Sequence, residues 1–287
     1  MHPLIIITLM GVCIGSVYGL LGLGLSLIFI GVRNTMNVAH GHIALLAAFT
    51  SFFVAQMLRV DPLSSLIIVG PFIFFFGFLI QYGAFNKLIH REPPGRIPLI
   101  LGVSLIIENT LLILFGPDPK SLGAYAQYAT LYLEALNLPA GYLISFIISL
   151  ALMLLTYILM TRTYIGIAIR ATSEDHLCVQ IFGVNYKKIF ATTFALGSLL
   201  SGVGGVLLGT LFSFDPSFGS SYLNTAFSVL VIGGASLRGC FIGGVILSLI
   251  YTFSAHFIGI AYSYFLGCVI TLTMLFIRPE GIFGYKL

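Results

Sequence analysis

Residues Thr161–Lys188 read TRTYIGIAIRATSEDHLCVQIFGVNYKK, the longest polar interruption between two strongly apolar runs of the chain. Thr172-x-x-Asp175 has the form of a capping box, with Glu174 and Asp175 in the first turn of the helix it would start. Gly183 follows Phe182, where a left-handed helix end needs a residue without a side chain. The spacing predicts a helix over 173–182, about 15 Å long, too short to cross a bilayer. Arg162, Arg170, Lys187 and Lys188 flank it. A short capped helix on the basic side of its neighbouring spans presents a surface to a partner in the cytoplasm.

The 287 residues around this stretch are 59% hydrophobic and 8% charged, with mean hydropathy +1.08. A soluble domain carries roughly a quarter charged residues, so this chain cannot cover a surface in water. The expected fold is all-α, a single polytopic membrane domain over 1–287. Apolar runs predict spans near 4–31, 38–58, 62–86, 97–115, 140–160, 189–212, 222–237, 239–257 and 260–277, about nine within bounds of eight to ten. The first is Gly-rich and 222–237 is short, which marks both as places for a broken or tilted helix. Small residues three or four apart in several spans point to close helix packing in lipid.

The net charge of +4 sits in loops and fits the positive-inside bias, with no dense basic run to bind nucleic acid. Lys87, Arg91 and Arg96, then 161–188, then Arg278 and Lys286 all face the cytoplasm if an even number of crossings separates each pair. That requires 222–237 and 239–257 each to cross. It places Arg33 and Arg238 inside, Arg59 and Lys120 outside, the N-terminus outside and the C-terminus in the cytoplasm. The first thirty residues contain no Lys or Arg and no cleavage pattern, and read as a retained span. Cys13, Cys178, Cys240 and Cys268 are dispersed; those in apolar runs read as packing residues. The 116–140 loop, which includes Glu134, is either a plain connection or a docking surface for an external partner.

No G-x-x-x-x-G-K-[ST], H-E-x-x-H or carboxylate cluster occurs, so the chain is not an enzyme in its own right and no catalytic residue is assigned. Three polar breaks remain. Asn37-Val-Ala-His40-Gly41-His42 offers a helix cap at Asn37, close approach at Gly41 and polar groups that could line a cavity; the two histidines lack a third metal ligand. Glu108, beside Asn109, is the one Asp, Glu, Lys or Arg deep inside a predicted span, either a pathway group or a neutral carboxyl joining two helices. Gly233-Gly234-Ala235-Ser236-Leu237-Arg238-Gly239 frees the backbone to turn within protein or beside a cavity.

These pieces in order resemble the permease subunit of branched-chain amino acid ABC importers, the LivH type. The resemblance covers almost the whole chain through GSVYGLLGLGLSLIF and MNVAHGHIALLAAF, GIAIRATSEDHLCVQIFGVN, FSFDPSFG, VIGGASLRGCFIGGVIL and FIRPEGIFG. It implies an inner-membrane subunit of a prokaryote, paired with a similar second permease, two cytoplasmic ATPases and an extracytoplasmic solute-binding protein. ATP and Mg would be bound by the ATPases, with no cofactor in this chain and membrane lipid around it. It assigns Gly166, Arg170, Glu174, Asp175 and Gly183 to the ATPase-coupling surface. The breaks holding Asn37, His40 and Gly41, and Gly233, Gly234 and Ser236, would lie along the substrate path, which Glu108 and Asn109 join as the intramembrane polar pair. The chain departs from the family pattern at Ile167, where Arg is usual, at Ala235 within the Gly-Gly-x-Gly-Ser pattern, and at Glu108, where a neutral amide is usual. Leucine, isoleucine or valine is the default cargo, with urea and short amides carried by related permeases. A proton-coupled secondary transporter using Glu108 is the alternative. An aquaporin-like channel built on Asn37-Val-Ala and Asn224-Thr-Ala is weaker, because both lack the proline between Asn and Ala.

Overall fold

The computed structural model describes residues 3–32, 35–88, 93–123, 130–133 and 136–284; Arg33, Arg91, Glu134 and Lys286 lie outside them. Among the described residues, eleven α-helices run in chain order: α1 Pro3–Gly31, α2 His40–Leu58, α3 Leu66–Gly83, α4 Ile97–Phe115, α5 Ala140–Arg162, α6 Tyr164–Glu174, α7 His176–Ile181, α8 Tyr186–Leu211, α9 Gly219–Gly233, α10 Leu237–Phe257 and α11 Ile260–Ile277. Eight of these helices are long and apolar enough to cross a membrane. The expected 222–237 span is instead the 15-residue α9, about 22 Å long. A two-stranded antiparallel hairpin, Thr130–Leu133 with Leu136–Pro139, stands in the loop before α5.

The glycines expected to break the first span leave α1 continuous over 29 residues and serve packing instead. Lipid supplies no hydrophobic drive between helices, so close van der Waals approach has to hold them together. A β-carbon on Gly15 would stand 2.6 Å from Val245 Cα, and one on Gly19 2.9 Å from the Cys240 carbonyl. Only bare backbone lets α1 lie this near α10.

The break comes after α1. His40 Nε2 lies 3.0 Å from the Leu21 carbonyl, although α1 continues ten residues beyond Leu21, about 15 Å. The chain therefore turns after α1, and 35–39 lie back along it before α2 begins at mid-depth. Thr35, Asn37 and Ala39 are buried there, as non-helical backbone at membrane depth must be. Arg96 Nη1 donates to Thr35 Oγ1 at 2.8 Å and pins the turn.

The second half repeats this plan upside down. α8 is antiparallel to α1: Gly31 packs near Thr193, Gly24 near Gly197 and Leu21 near Gly204. After Leu211 the chain pairs with Lys120 through Phe214, turns at Asp215-Pro216 and starts α9 deep in the bundle. Each long helix packs on the other half's short helix and its follower, α1 on α9 and α10, and α8 on α2 and α3. The segment 212–218 and α9 together occupy the place of the expected 222–237 span.

Candidate functional site

The 161–188 stretch holds two helices where one was expected. Thr163, not Thr172, opens the first: its Oγ1 accepts from Gly166 N–H at 3.2 Å and donates to the Leu159 carbonyl at 2.6 Å. Because the chain is already helical from Tyr164, the Thr172 hydroxyl bonds back to the Ala168 carbonyl at 2.6 Å and caps nothing. Glu174 ends α6 rather than opening a helix. Asp175 bends the chain and caps α7, its Oδ1 accepting from Leu177 N–H at 2.8 Å and Cys178 N–H at 3.0 Å. The N–H groups of Cys178 and Leu177 hold the Asp175 carboxyl below its ordinary value. α7 is thus six residues, His176–Ile181. Gly183 closes it with φ +78°, where Val184 N–H reaches the Val179 carbonyl at 3.3 Å.

This pair of helices is anchored on one face and bare on the other. Ile169 packs with Leu27 of α1 and Met160 of α5. The His176 ring lies 5.3 Å from Tyr186 at the start of α8. Gly166 is buried, since a β-carbon there would collide with the Leu159 and Met160 carbonyls; it serves the α5–α6 corner, not the surface. Arg170 is half-buried, and Glu174 and Asp175 are exposed. Ile181 and Phe182 are 83% and 80% exposed. The anchors reach α1 and α8, the two helices that cross at the centre of the bundle.

At that crossing the structure gathers Asn37, His40 and Gly41 with His42 and Glu108. Asn37 Oδ1 accepts from Ala39 N–H at 3.2 Å, so Asn37 lies two residues before the cap position of α2, which Ala39 holds without a side-chain bond. Ser201 of α8 donates to the His40 carbonyl at 2.9 Å. A β-carbon on Gly41 would collide with the Gly219 carbonyl, and one on Gly219 with the His42 ring. The starts of α2 and α9 therefore meet in direct backbone contact. His42 Nε2 lies 3.2 Å from Glu108 Oε2, joining α2 to α4. Asn37 Nδ2, His40 Nδ1 and His42 Nδ1 are buried without partners among the described residues.

The other candidates lie apart. Asn109 is on the exposed face of α4, its amide donating to the Leu105 carbonyl at 2.8 Å. Gly234, at φ +83°, turns the chain between α9 and α10. Ser236 Oγ caps α10 by accepting from Gly239 N–H at 3.1 Å. Ile282 and Phe283 donate backbone bonds to the Ile232 and Gly233 carbonyls, so the C-terminal segment closes over this hairpin. Among the described residues no three His, Cys, Asp or Glu side chains are placed to hold a metal. Cys13 and Cys240 are buried as expected, but Cys268 is exposed on α11, and Cys178 is exposed on α7.

One feature escaped the sequence reading. At the end of the bundle away from α6 and α7, a cleft of about 360 Å³ opens between α1, α10 and α11, lined in part by Tyr18, Tyr142, Tyr251 and Tyr264. Tyr251 lies 6.0 Å from Tyr18 and 5.3 Å from Tyr264, ring to ring. The signal was present in Tyr18 and Tyr251, which lie well inside apolar runs, since this residue favours the membrane–water interface and needs a partner for its hydroxyl when buried.

The comparisons with known proteins agree along the length of the chain. Residues 7–277 match the family model described as branched-chain amino acid transport system / permease component. The high-affinity branched-chain amino acid transport permease BraD of Pseudomonas aeruginosa is 26% identical, over 96% of this chain and 94% of that protein. LivH of Escherichia coli, named for the same transport, is 27% identical over 96% and 93%. In fold, the chain is similar to PsaBC from Streptococcus pneumoniae solved with a Fab, at TM-score 0.50 and 16% identity over 97% of this chain and 93% of that one. A multi-pass helical bundle matched over nearly its whole length belongs to the branched-chain amino acid permease family of ABC importers, whose ATP is bound by partner ATPases and not by the permease itself.

Proposed function

We propose that the chain is one of two permease subunits of a prokaryotic inner-membrane importer that carries leucine, isoleucine or valine delivered by an extracytoplasmic binding protein. Its whole length acts as one transmembrane domain. The α6–α7 end faces the cytoplasm. Lys87, Arg96, Arg162, Arg170, Lys187, Lys188 and Arg278 lie at that end, and Arg59 and Lys120 at the other, which is the asymmetry the positive-inside rule expects. The C-terminus then lies in the cytoplasm.

The observation that carries the coupling role is the half-anchored, half-bare α6–α7 pair. Its bare face, with Glu174, Asp175, Ile181 and Phe182, seats in a groove of one ATPase, while Arg170 braces it from behind. Its anchored face bears on α1 and α8. ATP-driven closure of the two ATPases pushes this lever and shifts the α1–α8 crossing, where α2 and α9 begin. Asn37, His40, Gly41 and the His42–Glu108 pair then lie at the pivot of the path, and Gly233, Gly234 and Ser236 form the hinge between α9 and α10. Two packed arrangements of one crossing are what alternating access requires.

The test is ATP-driven leucine uptake by the reconstituted complex. Asp175→Asn keeps the α7 cap and removes the charge, and Glu174→Lys reverses the neighbouring one. The double variant should fold and assemble as the parent does, yet hydrolyse ATP with uptake largely lost. Undiminished uptake in that variant contradicts the coupling role. Uptake that ignores ATP and collapses with the proton gradient would favour Glu108 as a proton-coupling group instead.

A further inference from the structure

α5 and α10 both lean on α1. Ser16 Oγ meets Ser149 Oγ at 2.6 Å, and Gly19 lies against the Cys240 carbonyl. The two outer helices make little contact with each other, which leaves a slot of about 260 Å³ between them. Leu150, Met153 and Leu154 form one wall, and Leu237, Phe241 and Ile242 the other. A single cation, Arg238, completes the lining, and it is exposed. Among the described residues it has no ion-pair or side-chain hydrogen-bond partner.

The position of this cation matters. α10 runs antiparallel to α1, since Gly11, Gly15 and Gly19 meet Leu249, Val245 and Cys240 in turn. Arg238 therefore stands at the end of the slot nearer α6 and α7. Beside it, α5 continues from Leu154 to Arg162, about 12 Å further along the helix, so the guanidinium is set back within the bundle. A cation at that depth is costly against lipid tails unless an anion meets it. Arg238 also lies in the first turn of α10, whose positive dipole end adds to its field. The occupant that fits has an apolar chain and an anionic group at one end. One turn of an α-helix 10 Å across takes roughly 420 Å³, so the slot is too small for a helix of another subunit but admits a hydrocarbon chain.

We propose that the slot between α5 and α10 binds an anionic phospholipid of the leaflet on the α6–α7 side. One acyl chain lies along Leu150, Leu154, Phe241 and Ile242. The phosphate meets Arg238, whose planar fork suits two phosphate oxygens at once. Arg238 follows directly on the turn between α9 and α10, so a lipid seated there ties α5 to the start of α10 and braces that turn.

The experiment places the complete transporter, with its partner subunits, in nanodiscs of phosphatidylglycerol and phosphatidylcholine in equal parts. Lipids still bound to this chain after release into mild detergent are counted by native mass spectrometry. The parent chain should keep a phosphatidylglycerol in preference to phosphatidylcholine. Arg238→Gln should lower that preference on the order of tenfold, as expected for loss of a charged hydrogen-bonding partner. Leu154→Trp fills the slot and should expel the lipid although Arg238 remains. If that variant fails to assemble, Ile242→Trp closes the slot from the other wall and gives the same reading. Equal retention of the two lipids by the parent overturns the site, as does an unchanged preference in Arg238→Gln. A filled slot that keeps its phosphatidylglycerol overturns it too. So does an Arg238→Gln complex that sheds its second permease while its bound lipids stay the same, because the slot would then be a contact between subunits.

Discussion

The crossing at the centre of the bundle and the helix pair at its end are both short polar interruptions in the sequence, yet they are built in opposite ways. At the crossing, glycine removes side chains so that Gly41 and Gly219 bring two helix starts into backbone contact. Its polar atoms turn inward onto Leu21, Ser201 and Glu108. At α6–α7, caps at Thr163 and Asp175 make the helices nearly self-sufficient, and large apolar side chains are left bare. The crossing is specified by what the chain does to itself. Under the proposed coupling role, the helix pair is specified by what another chain does to it. Substitutions should therefore damage folding at the first place and assembly at the second.

The largest effect belongs to the crossing. Gly41→Leu drives a side chain into backbone that cannot rotate away, so its cost should reach about 3 kcal/mol or more, the upper range of overpacking. Loss of monodisperse protein in detergent is the expected reading; a normal yield and melting temperature would mean that α2 and α9 can separate freely. Ile181→Asp with Phe182→Asp makes the contrasting case. It should leave melting unchanged and weaken ATPase association on the order of a hundredfold, as expected for loss of central apolar anchors.

Smaller substitutions sharpen the same contrast. Glu108→Gln can still bond His42 and should import leucine nearly as the parent does. Glu108→Ala leaves a buried imidazole without its partner and should cost about 1–3 kcal/mol of stability. Equal melting of the two variants would show that the His42–Glu108 contact contributes little. The smallest effect should be that of Asp175→Ala, seen as faster amide exchange confined to 176–182. The sign of its pH dependence follows from the cap. The folded Asp175 carboxyl titrates below its unfolded value, so its stabilisation of α7 is complete above about pH 4 and fades as pH falls through the lowered value. Exchange in α7 that is slower in acid, after correction for intrinsic rates, would contradict the cap.

Span positions were legible because long apolar runs have one stable solution in lipid; 97–115 and 260–277 appear unchanged as α4 and α11. Gly183 was legible because a left-handed helix end leaves few alternatives. The Thr172 cap was misread because two oxygens three residues apart compete, and the winner depends on whether helix already precedes them. Tyr164–Glu174 supplies that helix, though Gly166 and the β-branched Ile165 and Ile167 argue weakly against it. The return through 35–39 and the descent through 212–218 depend on which helices flank them, and no local pattern carries that. Pairing of Glu108 with His42, 66 residues apart, and the facing tyrosines of the cleft belong to the same long-range class. Asn109 was grouped with Glu108 by adjacency alone, yet neighbours on a helix point about 100° apart, and it faces outward.

Native cysteines allow the central claim to be tested with almost no engineering. Cys178 is exposed on α7, and Cys268 is exposed on α11 far along the bundle. A short thiol-directed cross-linker applied to the actively transporting complex should join Cys178 to an ATPase subunit, while Cys268 stays unlinked to it. If an ATP-driven, leucine-importing complex shows no cross-link from Cys178 to its ATPase, while reactive ATPase residues are available within the linker's reach at the membrane surface, then α6–α7 is not where ATP drives this permease.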